Sequence, residues 1–347
     1  MTRDVQALGC RVGGDVFWLI ERSIRAVYRS DRVRWAEGDS GQAGWLADGG
    51  VDLPVYRLSQ RLFGAARAAH ADRHVVVVDD GARRPWALLV ERVVARSRIA
   101  ADDIAPVPPI ARRHHDGAIT QLLRADHGFV PLVAPERLDP LGCDARVDRP
   151  PVAAFVQRRH VRSAGPMPSQ NKILVFSAAD RFASDRLLTF ALSTAQVHEI
   201  VTRPEPLSIP GAASWVRGIV AWRGRAVPLV DLGARLGLES IDRAPGRLLV
   251  ARGARTSDVI GLEIRRDMRL EHLPLGAARS RSAGFAHPMV LGAFDGGEDT
   301  LILLDVDALL EAGSMPLPRF PVPSVPAPSI GAHPVNPFAH DAQYRAS

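Results

Sequence analysis

The residues from which this 347-residue chain would have to build reactive chemistry are one lysine, two cysteines, 11 histidines and 38 acidic side chains. Their spacing excludes most familiar sites. The lysine, Lys172, follows Asn171, whereas a phosphate loop needs Gly-Lys-Ser/Thr so that the ammonium can reach the terminal phosphates. Ser169 and Lys172 spell S-x-x-K, but the K-T-G box of a penicillin-binding or lactamase site needs a second lysine. His198-Glu199 opens like a zinc-binding H-E-x-x-H helix, yet Thr202 stands where the second histidine belongs. His114-His115 lies beside Arg112-Arg113 and Asp116 and reads as a solvated loop. Neither G-x-S-x-G nor G-x-G-x-x-G occurs. Cys10 and Cys143 are too few and too far apart for a disulfide framework or a metal clasp, which fits a reducing cytoplasm. No catalytic residue, metal or cofactor is therefore expected.

Charge points no further. Lysine and arginine total 44, all but one of them arginine, and the net charge is only +6 because acids are interspersed with the bases. No basic run interleaved with stacking aromatics marks a nucleic-acid surface. The amino terminus has no apolar run of signal-peptide length, and no stretch of about 18 apolar residues could span a bilayer, so a cytoplasmic protein without direct membrane insertion is expected.

The elements that would position any site are short runs of Val, Ile and Leu punctuated by Gly, Pro and Asp, the pattern of an all-β chain. Strands are predicted at Val75–Val78, Ala87–Val90, Ile173–Phe176, Leu187–Leu192, Ala226–Val230, Leu248–Ala251, Val259–Ile264 and Leu301–Leu304. Short helical stretches are predicted near Leu58, Leu62 and Phe63, near Leu232 and Leu236, and over Val306–Leu310.

An internal echo organises these elements. Gly50, Pro54, Leu58 and Leu62 recur at the same spacing as Gly224, Pro228, Leu232 and Leu236, 174 residues later. His74–Asp80 matches Arg247–Gly253 within a residue, and Phe129–Leu138 parallels Leu301–Leu310 at an offset of 172. A period of domain length indicates a tandem duplication. The division reads as domain 1–145, linker 146–170, domain 171–313 and a proline-rich, extended and disordered tail 314–347, whose prolines block helix and sheet.

In the second repeat, Val175-Phe176, Arg186–Leu192, Val197–Val201, Ile209-Pro210, Trp215–Val220 and Arg223-Gly224-x-x-x-Pro228-x-x-Asp231-Leu232 follow in order. This order and spacing resemble the CheW-like domain, the adaptor module of bacterial chemosensory arrays. Without the family, Gly224 reads as the positive-φ residue of a tight hairpin, Pro228 as an edge or bulged position, and Asp231 as a helix cap. Glu199 and Arg223, long charged side chains at strand and turn ends, read as surface contacts.

The resemblance implies two CheW-like domains, each a pair of small SH3-like five-stranded barrels around a shared core with a groove between them. It implies a non-catalytic scaffold with two partners, a CheA-like histidine kinase and the cytoplasmic tip of a methyl-accepting chemoreceptor. Glu199 and Arg223 map onto the receptor-contacting region, with Val197, Ile200 and Val220 as adjoining apolar contacts that core burial explains equally well. The first repeat departs from the pattern: Ala47-Asp48-Gly49-Gly50 replaces Arg-Gly, Arg25 is expected where Glu199 would be, and little room is left before Val16–Ile20 for an opening strand. It is read as a degenerate module. An arginine-rich nucleic-acid binder and an enzyme with a site of unfamiliar construction are the competing readings.

Overall fold

The computed structural model describes residues 4–36, 42–63, 72–82, 84–112, 117–126, 128–138, 172–178, 187–236, 246–265, 267–273, 289–295 and 299–311. The expected linker and proline-rich tail, with His114, Cys143 and Ser169, lie outside the described residues.

The chain folds into four sheets, two per repeat. In the first repeat one sheet contains β1 (Val5–Val12), β2 (Asp15–Ile20), β9 (Arg92–Ile99), β10 (Ile104–Pro106), β11 (Ile119–Ala125) and β12 (Gly128–Val133), in the order β10-β11-β12-β2-β1-β9. The other contains β3 (Ile24–Arg29), β4 (Val33–Trp35), β5 (Gln42–Asp48), β6 (Val51–Arg57), β7 (His74–Val78) and β8 (Trp86–Val90), in the order β3-β7-β8-β6-β5-β4. The second repeat follows the same plan. β13 (Lys172–Phe176), β14 (Leu187–Ser193), β20 (Met268–His272), β21 (Val290–Asp295) and β22 (Asp299–Leu304) pair as β20-β13-β14-β22-β21. β15 (Val197–Thr202), β16 (Val216–Trp222), β17 (Arg225–Val230), β18 (Arg247–Arg252) and β19 (Val259–Ile264) pair as β15-β18-β19-β17-β16. Three short helices, α1 (Leu58–Phe63), α2 (Leu232–Arg235) and α3 (Val306–Leu310), stand at the three expected places.

Period-two alternation explains the cores. Along β7, Val75 and Val77 enter the interior of their own sheet with Leu46, Leu53 and Val55, while Val76 and Val78 face Leu8, Cys10, Phe17 and Leu19 of the neighbouring sheet. β18 repeats this: Leu248 and Val250 pack inside its sheet, Leu249 and Ala251 against Phe176 and Phe190. Burial on both faces is why these strands read as unbroken apolar runs. Each repeat thus has two barrel interiors around a shared core, as expected.

Three expectations need correction. The sheets of the first repeat have six strands, not five, because the short β4 and β10 extend them. The opening strand is present: Val5–Val12 pairs with both β2 and β9, held by the buried Ala7, Leu8, Cys10 and Val12. Burial pushes the Cys10 thiol up to about 12, which makes it inert packing. Pro228 is not at an edge but beside a bulge: β17 lies between β16 and β19, the β16 bulge between Val216 and Gly218 falls next to the Ile219–Pro228 pair, and the parallel ladder to β19 begins one residue later, at Leu229, so the missing N–H interrupts no pairing there.

A further apolar cluster belongs to neither repeat alone. Val107, Ala111, Leu122 and Phe129 of the first repeat pack with Ile209, Val216 and Ile219 of the second. Ile110, in the short turn Pro109–Ala111, reaches the core of the second repeat beside Leu174 and Phe176.

Phe190, fully buried in that core, sets the first test. Phe190→Ala should cost about 3–5 kcal/mol in urea unfolding, whereas truncation of Leu270, 72% exposed, should stay within about 0.5 kcal/mol.

Candidate functional site

The hairpin joining β16 to β17 carries the Arg-Gly pair. Arg223 and Gly224 both have positive φ, 47° and 72°, the backbone of a type I′ turn. Gly224 meets the sequence expectation, but Arg223 is the only non-glycine among the described residues with positive φ. A side chain in that region carries strain, and it persists where the surroundings determine it.

Those surroundings are Glu199 and Trp222. One carboxylate oxygen of Glu199, on β15, accepts from Trp222 Nε1 at 2.9 Å and pairs with an Arg223 terminal guanidinium nitrogen, also at 2.9 Å. The Arg223 guanidinium lies over the Trp222 ring, 5.1 Å from its centre, and the centre of the His198 ring is 5.5 Å from that of Trp222. The two charged residues singled out from sequence are therefore in direct contact. The Arg223 side chain is 69% exposed and that of Glu199 34%, so the pair presents a fixed cation at the surface.

The apolar candidates separate. Val220 is buried inside the barrel with Val227 and Leu229, which makes it core. Val197 and Ile200 are half-buried against the shared core. Asp231 caps α2 as expected, accepting from the Ala234 backbone N–H at 3.0 Å, and it also pairs with Arg217. Gly218 has a demand the sequence did not reveal: at φ 143°, a Cβ there would run into the carbonyl oxygen of Leu207, whose backbone bridges Ile219.

Two further residues were missed. Arg235 is buried, its guanidinium 3.9 Å from the centre of the Trp215 ring and donating to the Glu311 carbonyl at 2.7 Å. Desolvation lowers its pKa to about 10, still high enough to stay charged at neutral pH. It fixes the segment leading into β16. Arg124 of the first repeat donates to the Gly224 carbonyl at 3.1 Å, so the hairpin is held from the other domain. A contact across 100 residues with no periodic signal leaves no trace in the sequence.

The first repeat builds its hairpin differently. Gly49 and Gly50 take the turn with φ of 59° and 82°. The ladder registers align Ala26, not Arg25, with Glu199: Ala26 pairs Val77 as Glu199 pairs Val250, so these strands repeat at an offset of 173 residues whereas the hairpins repeat at 174. Arg25 instead pairs with Asp48 and Asp79, and Tyr28 donates to Asp48 at 2.8 Å. Alanine stands where Glu199 would be, the preceding residue of β3 supplies a base, and the hairpin itself supplies the acid.

A cleft of about 740 Å3 in the first repeat is lined mainly from the β1, β2, β9 and β11 sheet, by Gln6, Glu21, Arg22, Arg96, Gln121 and Arg137 among others. Glu21 and Arg96 pair across it. Among the described residues no group of three or more His, Cys, Asp or Glu could hold a metal, and no helix is long and apolar enough to cross a membrane.

Comparison with known proteins follows the same outline. The model of the CheW-like domain matches residues 6–139 and again 172–314. Over 128 residues the chain is 29% identical to the protein PilI of Pseudomonas aeruginosa, covering 35% of this chain and 66% of PilI. The crystal structure of the scaffolding protein TtCheW from Thermoanaerobacter tengcongensis is similar at 21% identity and a TM-score of 0.35, over 43% of this chain and 99% of that one.

The Tyr28–Asp48–Arg25 cluster gives a pH test. The hydrogen bond from Tyr28, with the help of Arg25, holds the Asp48 carboxyl below its ordinary 3.8. A lowered folded-state pKa contributes stability that is present above the ordinary value and disappears as pH falls through the lowered one. The difference in urea midpoint between the natural chain and Asp48→Asn should be constant near pH 7 and shrink below about pH 3.8. A difference that grows with acid would contradict this assignment.

Proposed function

The chain belongs to the CheW-like domain family through both of its halves, and from that premise we propose that it joins a CheA-like histidine kinase to the cytoplasmic tip of a methyl-accepting chemoreceptor. CheW-like domains are non-catalytic scaffolding modules, and their work is protein–protein contact. The observation that carries the finer reading is the Glu199–Trp222–Arg223 constellation: a strained, exposed arginine whose position is fixed before any partner arrives. Preorganised charge at a protein surface governs register and association rate more than raw affinity.

The proposed site comprises Glu199 and Arg223, with Val197 and Ile200, half-buried against the shared core, as adjoining apolar contacts. Gly224 and Asp231 set its geometry. The matched regions 6–139 and 172–314 support a division into two modules near 1–145 and 171–313. In this reading the protein works in the cytoplasm at receptor arrays. Against nucleic-acid binding stands the pairing of surface arginines with acids: Arg22 with Glu136, Arg34 with Asp52, Arg57 with Asp72 and Arg96 with Glu21. Such pairs leave little unbalanced charge for phosphates.

Pull-down of a CheA-like kinase or a receptor signalling tip by the full-length chain is the test. Glu199→Lys and Arg223→Glu should each weaken capture about tenfold or more, for a contact worth at least about 1.4 kcal/mol. The double exchange Glu199→Arg with Arg223→Glu restores the internal ion pair but inverts the surface charge. It should recover thermal stability without recovering capture. Undiminished capture by every variant would overturn the reading.

A further inference from the structure

Surface charge is locally unbalanced at the Arg223-Gly224 tip. Several arginines elsewhere on the surface stand beside acids, Arg22 with Glu136, Arg34 with Asp52 and Arg98 with Asp4 among them. At the tip three exposed arginines meet. Arg223 and Arg225 flank Gly224 in the turn, and Arg124 reaches it from the β11–β12 hairpin of the first repeat. Of the three, Arg223 has an acid beside it, Glu199. Arg124 donates to the Gly224 carbonyl at 3.1 Å and Arg225 to the Ser257 carbonyl at 3.3 Å, so each of these guanidiniums has a neutral oxygen for its partner among the described residues. Asp126 and Asp258 are exposed on the adjoining turns, and among the described residues neither forms an ion pair with them. A guanidinium carries five donors, and one bond to a carbonyl leaves several for a second acceptor.

The tip is held as well as charged. Ala226, two residues beyond Gly224, packs with Ala105 on the cluster at the seam, where β10 lies against β17. Glu199 and Trp222 fix Arg223 from the other side. The cations are therefore set in place before a partner arrives, which lowers the cost of ordering them on binding. Without the first repeat, two of the three would remain.

We propose that Arg124, Arg223 and Arg225 form one docking surface for an acidic segment of a partner protein, so that the first repeat belongs to the partner's footprint. The proposal rests on the adaptor reading above and adds to it the chemistry of the partner and a contact from the first repeat. Carboxylates suit the site because a guanidinium binds them through paired, charge-assisted hydrogen bonds. Glu199, beside Arg223, favours a partner of mixed charge, with acids against the outer arginines and a donor against Glu199. An evenly charged phosphate backbone would meet Glu199 with repulsion.

Association rates of the full-length chain with the receptor signalling tip and with the CheA-like kinase, at low and at physiological salt, test this. Arg124→Glu and Arg225→Glu should each slow association with one or both about tenfold or more and reduce its dependence on salt. The thermal midpoint should stay in place, because both side chains are exposed. Arg124→Lys keeps the charge and should stay within about threefold of the natural chain, whereas Arg124→Gln keeps a donor without the charge and should fall with Arg124→Glu. A purely structural role for the bond to Gly224 would not separate these two variants by charge. Rates unchanged by Arg124→Glu and Arg225→Glu but reduced by Arg223→Glu would overturn this proposal and leave the adaptor reading standing. A natural chain that captures neither partner would overturn both. Capture of duplex DNA at physiological salt, abolished by the same exchanges, would overturn the proposal by assigning the three cations to phosphate.

Discussion

The seam between the two repeats is the contact on which the rest of the architecture depends. Val107, Ala111, Leu122 and Phe129 meet Ile209, Val216 and Ile219, and Ile110 reaches the core beyond them. Each large apolar side chain removed from water there contributes about 1.5–3 kcal/mol, so the face of β16 and β17 is an interior surface of the tandem and not a free one. This surface ends at the Arg223-Gly224 hairpin, and Arg124 extends the seam to the hairpin through the Gly224 carbonyl. The first repeat therefore acts as a buttress for the candidate site, whatever it binds itself.

The two repeats keep their cores and exchange their surface chemistry. β7 and β18 are buried on both faces in matching registers, and the bulges in β3 and β15 coincide. Around the equivalent hairpins, however, Glu199 with Trp222 and Arg223 faces Arg25 with Asp48 and Tyr28. Packing constrains the first set, because a buried strand tolerates little change in volume. The hairpin tips lie outside that packing, and the exchange of charged side chains there accounts for why the first repeat looks degenerate in sequence while its fold is complete.

The strands buried on both faces were legible because such burial writes them as runs such as Val75–Val78 and Leu248–Ala251, and the capping role of Asp231 was legible because a cap acts within one turn. Val5–Val12 was hidden: Gly9 and Arg11 dilute its apolar signal, and its pairing with β9 spans most of the repeat. Arg25 was placed one residue out of register because the hairpins repeat at 174 residues and the strands β3 and β15 at 173, a one-residue difference in connection length that leaves composition unchanged. The contact between Glu199 and Arg223 could be expected only as two separate surface charges, since nothing in local spacing says that β15 and the hairpin converge. Arg124, Arg235 and the seam depend on side chains far apart in the chain, beyond the reach of any periodicity.

Hydrogen exchange on the full-length chain tests the seam most directly. Phe129, 8% exposed, belongs to the first repeat and touches the second only through that cluster. In a Phe129→Ala chain, exchange at Leu207 and along Val216–Trp222 should quicken about tenfold, the response to a local loss of about 1.4 kcal/mol, while β14 and β18 stay as protected as before. Unchanged exchange in β16 would contradict the account, because the second repeat would then be stable without the cover of the first.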